Sequence, residues 1–274
     1  HQGITVSLVL CHKMTAMNKC CMFRFYAELN DFLKPKYRQT NFPYHFNGKP
    51  SVKDAIQAIG VPHTEVDLIL VNGISVTFDQ HLQPGDQISV YPVFETLDIS
   101  DVTHLRPRPL RTPKFVLDVH LGRLARYLRL AGFDTVYENS FDDNEIIAIA
   151  NSQKRIILTR DLGILKNDHV THGYFVRSDD PRMQIREVIN YFSLHKLAKP
   201  FSRCTRCNGK VRQITRKEAE SKVSKRTFMY YRRFYVCTSC GKIYWEGSHV
   251  GRMQKFLREL LVTEDFLHQE GIEK

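Results

Sequence analysis

A chain of 274 residues with 42% hydrophobic and 25% charged residues has the composition of an ordinary soluble protein, long enough for two or three folded domains with real cores. The formal net charge of +11 and the pI near 9.3 favour a polyanionic partner, nucleic acid ahead of an anionic membrane surface. No run approaches the roughly 18 apolar residues of a membrane span, and the opening GITVSLVL is too short and lacks the basic flank of a signal peptide. The expected location is therefore the cytoplasm, with no membrane contact.

His1 is not an initiator, and residues 1–20 are read as a leader outside the folded domains. Cys11, Cys20 and Cys21, close to it, are expected to be incidental free thiols. From Cys21 the pattern MFRFYAEL alternates like a half-buried strand. PYHFNGKPSVKDAIQAIGVP then gives a strand, a Ser51 N-cap, a short helix and a stop at Gly60. VDLILVNGISV is a hairpin turning at Asn72-Gly73, and LQPGDQISVYPVF turns into a last strand. This order over residues 21–96 resembles the β-grasp, ubiquitin-like fold of small sulfur carriers. Those carriers need a free terminal Gly-Gly, whereas here the corresponding end is Phe94-Glu95 and the chain runs on. A module that docks a protein partner is the expected role. Residues 97–113, with three prolines and three arginines and no apolar period, read as a basic linker.

Residues 114–198 alternate between strand and helix patterns. FVLDV, DTVYE, RIILT and GYFVR are short β-branched or aromatic runs, separated by the helical LGRLARYLRLAG, DDNEIIAIANSQ and DLGILKND. A final helix, PRMQIREVINYFSLH, has Pro181 at its first position. This alternation predicts a parallel sheet with helices on both faces, and such sheets bind ligands beyond the carboxyl ends of their strands. Carboxylates fall at those ends: Asp118 after the first strand, Asp142 and Asp143 opening the helix after the second, Asp161 after the third, Asp179 and Asp180 after the fourth. Phosphodiester hydrolysis can use such a set, because carboxylates hold divalent metals that activate water and stabilise the leaving oxygen. Each residue also has a structural alternative. Asp118 can cap the helix near Gly122, Asp142 and Glu145 have capping-box spacing, and Asp161 can cap LGILK. A haloacid-dehalogenase site would need a second aspartate at position 120, which is His120, and no G-x-S-x-G or P-loop motif is present.

Arg123, Arg126 and Arg129 recur every three residues and suggest either a solvated basic face or a phosphate rail. Arg160 and Arg177 can steady a phosphate or pair with neighbouring aspartates. In residues 199–274, where 17 Lys/Arg face 8 Asp/Glu, Cys204-x-x-Cys207 and Cys237-x-x-Cys240 lie 29 residues apart. That is zinc-ribbon spacing, and four thiolates leave no open position, so one structural zinc is expected. Between the pairs, RTFMYYRRFYV interleaves aromatics with Arg232 and Arg233, a pattern suited to single-stranded RNA or simply to a two-faced ribbon strand.

Taken together, LDVHLGRLARYLRLAGFDT, DDNEIIAIA, ILTRD, RCTRCNGK and CGKIYWEGSH resemble the Mut-seven C-terminal RNase family. That family joins a PIN-like nuclease fold to a zinc ribbon, and its bacterial members often carry an N-terminal ubiquitin-like domain, which matches residues 21–96. The resemblance implies metal-dependent cleavage of RNA, single-stranded or structured, with one or two Mg or Mn ions. By motif it places the family's acidic positions on Asp118, Asp143 and Asp161. Asp142 and Asp179 are further candidate ligands, and Glu145 is a capping or supporting residue. A non-catalytic RNA-binding factor on the same fold is the alternative.

Overall fold

In the computed structural model, residues 19–92 and 113–261 are described, except the side chains of Ser248 and His249. The expected leader and nearly all of the linker lie outside these residues. The chain forms two compact units, one of residues 1–111 with 161–174 and the other of 112–160 with 175–274.

In the first unit, β1 (Lys19–Phe25), β2 (Phe42–Phe46), β3 (Val66–Val71), β4 (Ile74–Ser75) and β5 (Gln87–Pro92) form one sheet in the order β2-β1-β5-β3-β4. The central pair β1/β5 is parallel and its neighbours are antiparallel, which is the β-grasp arrangement. The helix α1 (Val52–Ile59) starts in a full capping box, Ser51 accepting from Asp54 N while the Asp54 carboxylate accepts from Ser51 N. It ends at Gly60, whose φ of 126° suits glycine. The Asn72-Gly73 turn has positive φ at both residues, as a tight hairpin requires. Phe23, Phe25, Ile56, Ile69 and Val90 sit at the centre of the core. β1 departs from simple alternation because both of its faces are largely covered. Cys21 is a buried free thiol, pushed up to about 12 by burial and by the nearby Asp86. Cys20 is disulfide-bonded, so the expectation of a free thiol does not hold there.

The second sheet contains β6 (Phe115–Leu117), β7 (Thr135–Val136), β8 (Ile156–Thr159) and β9 (Gly173–Phe175) in the order β7-β6-β8-β9. β6 runs parallel to both β7 and β8, with Leu117 opposite Leu158. The intervening helices are α2 (Gly122–Leu130), α3 (Asp143–Gln153), α4 (Leu162–Lys166) and α5 (Pro181–Tyr191). Every residue of β6 and β8 is buried, as expected of strands covered on both faces. Leu124 and Leu128 of α2 and Ile185 and Val188 of α5 are fully buried. Asp180 caps α5 by accepting from Arg182 N and Met183 N, one residue ahead of Pro181.

The remaining strands, β10 (Val211–Ile214), β11 (Phe234–Cys237) and β12 (Ile243–Trp245), make an antiparallel ribbon. Short helices α6 (Arg216–Glu220) and α7 (Lys225–Tyr230) fold over it, around a small core of Ile214, Ala219, Phe234 and Val236. The closing helix is α8 (Ser248–Leu261). No described helix is long and apolar enough to cross a membrane.

Candidate functional site

Asp118 follows β6 directly, and the residue is only 5% exposed. Its backbone N–H donates to Leu158 O, and one carboxylate oxygen accepts from the Thr159 hydroxyl at 2.8 Å. The capping alternative fails, because Asp118 makes no side-chain cap bond to the short turn after it. Among the described residues no cation pairs with it. A carboxylate held out of water with a single neutral donor is costly unless something else meets its charge. Thr159 was not singled out in the sequence; the only signal was a hydroxyl closing an otherwise apolar strand.

The other carboxylates are placed differently. Asp142 and Glu145 form a complete capping box at the start of α3, with Glu145 N donating to Asp142 at 2.8 Å and Asp142 N to Glu145 at 3.0 Å. Asp143 is the exposed first residue of that helix, whose N-terminal dipole favours negative charge. Asp161 is the exposed N-cap of α4, accepting from Gly163 N at 2.6 Å. Asp179 pairs with Arg160 at 2.5 Å while its own side chain stays 90% exposed. Arg160 also donates to the carbonyls of Val176, Arg177 and Ser178, so of the two roles open to it, pairing and holding this turn is the one observed. Arg177 donates back to Phe175 O, and its backbone N–H is held by Glu187.

The supposed arginine rail is broken. Arg123 and Arg126 are exposed, but Arg129 is only 4% exposed. Its guanidinium donates to Thr135 O at 2.9 Å and to Arg206 O at 2.8 Å, the latter inside the first cysteine knuckle. Burial draws this guanidinium below its ordinary value. Beside it Asp134 binds Arg155 at 2.7 Å, Arg203 at 3.1 Å and the Asn208 amide at 2.8 Å, and Asn208 in turn accepts from Thr135 N. Burial opposes ionisation of Asp134, but Asn208, Arg155 and Arg203 outweigh it and hold the carboxyl below the usual range. Arg129 and Asp134 are thus the joints between the sheet and the knuckle.

Cys204, Cys207, Cys237 and Cys240 place their sulfurs within 4.8 Å of one another. Cys204 and Cys240 are 3.7 Å apart and Cys207 and Cys237 3.4 Å, against about 3.8 Å for the edge of a tetrahedron with Zn–S bonds of about 2.3 Å. The backbone N–H groups of Ser239 and Cys240 both point at Cys237 Sγ from 3.4 Å. A Cβ on Gly209 would lie 2.9 Å from that sulfur, so the close approach belongs to Gly209. Gly241 has open space around it and serves a φ of 70°. Donor set and spacing fit a structural zinc. Tyr244 packs on the ribbon with its hydroxyl 3.0 Å from Cys204 Sγ. Arg232 is exposed, and Arg233 lies 3.6 Å from Glu246. Met229 and Tyr230 are largely exposed at the end of α7. Among the described residues, Asp118, Asp143 and Asp161 are not gathered into a metal-ready group as the cysteines are.

A parallel sheet bearing strand-end carboxylates is followed along the chain by a ribbon with four gathered cysteines and preceded by a β-grasp domain. The family model described as Mut7-C RNAse domain matches residues 113–257, and the one described as Mut7-C ubiquitin matches residues 18–98. The chain belongs to the Mut7-C RNase family. It is also similar to the human (Homo sapiens) exonuclease mut-7 homolog, 53% identical over 30 residues, which are 11% of this chain and 3% of that protein. The crystal structure of SAMP1 from Haloferax volcanii aligns with 28% of this chain and 97% of its own, at 16% identity and a TM-score of 0.23, too low to support an argument.

Proposed function

We propose that this protein is a metal-dependent ribonuclease of the cytoplasm, hydrolysing RNA phosphodiester bonds at the carboxyl ends of the β6 and β8 strands. The observation that carries the reading is Asp118: buried, fixed by Thr159, unused as a cap and without a cation partner among the described residues. Hard oxygen donors fit Mg²⁺ or Mn²⁺. Asp118, Asp143 and Asp161 would hold one or two such ions, which supply an activated water and charge neutralisation at the scissile phosphate. The chain's own part is to fix the Asp118 carboxylate through Thr159, leaving its other oxygen for a ligand. Arg123 and Arg126 offer exposed charges for neighbouring phosphates, and Arg232 and Arg233 offer more on the ribbon. Asp142 and Asp179, already occupied in a capping box and an ion pair, take lesser places.

A second reading, an RNA-binding or processing factor that no longer cleaves, is favoured by the structural roles of Asp142, Asp161 and Asp179 and by the ungathered acidic trio. Incubating purified protein with labelled single-stranded and structured RNA in Mn²⁺ or Mg²⁺ separates the two. Cleavage by the wild type that Asp118→Asn abolishes supports the nuclease, whereas binding without cleavage by either protein supports the factor.

A further inference from the structure

We infer that the β-grasp domain acts as a positioning element for the segment that begins at Asp161, through Gln57 and His63. The inference rests on the proposed role of Asp161 as a ligand carboxylate. Residues 161–174 belong to the same compact unit as the β-grasp sheet, although they follow β8 in the chain.

Gln57, in the last turn of α1, is the hub. Its amide nitrogen donates to Lys166 O at 2.8 Å and lies 3.0 Å from His63 Nδ1. His63 Nε2 lies 2.9 Å from Val170 O. A carbonyl can only accept, so Nε2 carries the proton and Nδ1 accepts the second amide hydrogen of Gln57. This single tautomer satisfies both side chains at once. His63 is buried, edge-on to Phe78, so water competes poorly for these bonds. Outside them Lys53 pairs with Asp168 at 2.7 Å, an exposed contact worth little by itself.

The held segment needs such support. α4 has five residues, too few to be stable alone, and its last carbonyls have no partner within the helix. Gln57 takes one of them, Lys166 O. Ile164, Leu165 and Val170 are buried, which anchors the same segment by its apolar side. Asp161 caps the other end of this helix, about 7.5 Å away by helical rise. A short rigid helix pinned at its C-terminal end fixes the direction of its N-cap. Gln57 and His63 are positioning residues in this scheme and touch no reacting atom.

Hydrogen exchange of the full-length chain tests the inference. Gln57→Ala and the double variant with His63→Ala are compared with wild type and with Ile74→Ala, an exposed control on β4. Exchange across residues 162–170 is expected to quicken about tenfold in both Gln57 variants, with β6 and β8 unchanged. The Mn²⁺ concentration for half-maximal RNA cleavage is expected to rise severalfold at unchanged KM for RNA. Unchanged exchange, or faster exchange with unaltered Mn²⁺ dependence, overturns the inference. A wild type that cleaves no RNA overturns the nuclease reading instead, and the exchange comparison still decides whether Gln57 and His63 hold the segment.

Discussion

Thr159 donates its hydroxyl hydrogen to Asp118 across 2.8 Å, tying the last residue of β8 to the carboxylate that follows β6. The parallel register sets this bond, since Leu117 lies opposite Leu158 and each strand's next residue carries the polar group. A buried charge receives one donor and keeps one oxygen for something else. Thr159→Val is expected to cost about 1–3 kcal/mol by urea unfolding, and Thr159→Ser to restore most of it. Asp118→Asn removes the charge and should leave metal-free stability equal or higher, the usual signature of a functional rather than a structural carboxylate. Mn²⁺ should raise the Tm of wild type and not that of Asp118→Asn.

The four cysteines form a closed site, so zinc should contribute to folding rather than turnover. Stripping the metal with a strong chelator, or substituting Cys204→Ser, is expected to remove several kcal/mol of stability from the ribbon. Metal analysis should find one zinc per chain. An unchanged thermal transition after complete zinc removal would contradict the structural assignment.

Arg129 and Arg123 should separate cleanly. Arg129→Ala breaks bonds to Thr135 O and Arg206 O and should cost about 2–4 kcal/mol. Arg123→Ala and Arg126→Ala should leave stability within about 0.5 kcal/mol and lower the slope of log K against log salt for RNA by up to about 1 each. Filter binding over a salt series, beside urea melts, reads both effects.

Asp134 gives the ribbon joint a pH dependence. Its folded pKa lies below the ordinary value, so the unfolded chain takes up the proton first as pH falls. The stabilisation is therefore complete above about pH 4 and is lost as pH drops through the lower folded value. Wild type should lose stability more steeply than Asp134→Asn below about pH 4, and the two curves should run parallel above pH 5 or so. Denaturant midpoints measured across this range check the sign.

Local chemistry was readable in the sequence, and long-range geometry was not. Ser51, Asp142 and Asp161 cap helices where their spacing placed them, and Asn72-Gly73 turns the hairpin, because these bonds close within a few residues. The cysteine pairs were equally legible, since thiolate spacing defines a tetrahedral site. Arg129 misled because a three-residue repeat drifts about 60° per step on a helix of 3.6 residues per turn. The third arginine thus lies about 120° from the first and turns into the knuckle. Asp134 with Asn208, and Gln57 with Lys166, meet over 74 and 109 residues of chain, beyond any periodicity. Asp118 was found by its place at a strand end, but its burial and its bond to Thr159 needed the fold.

The central claim is that the strand-end carboxylates make an active site, and single-turnover cleavage of labelled RNA in Mn²⁺ tests it most directly. Wild type should cut, Asp118→Asn and Asp161→Asn should each lose at least about 100-fold in rate (about 2.7 kcal/mol of transition-state stabilisation), and both variants should remain folded. Cleavage that persists undiminished in both folded variants would contradict the account.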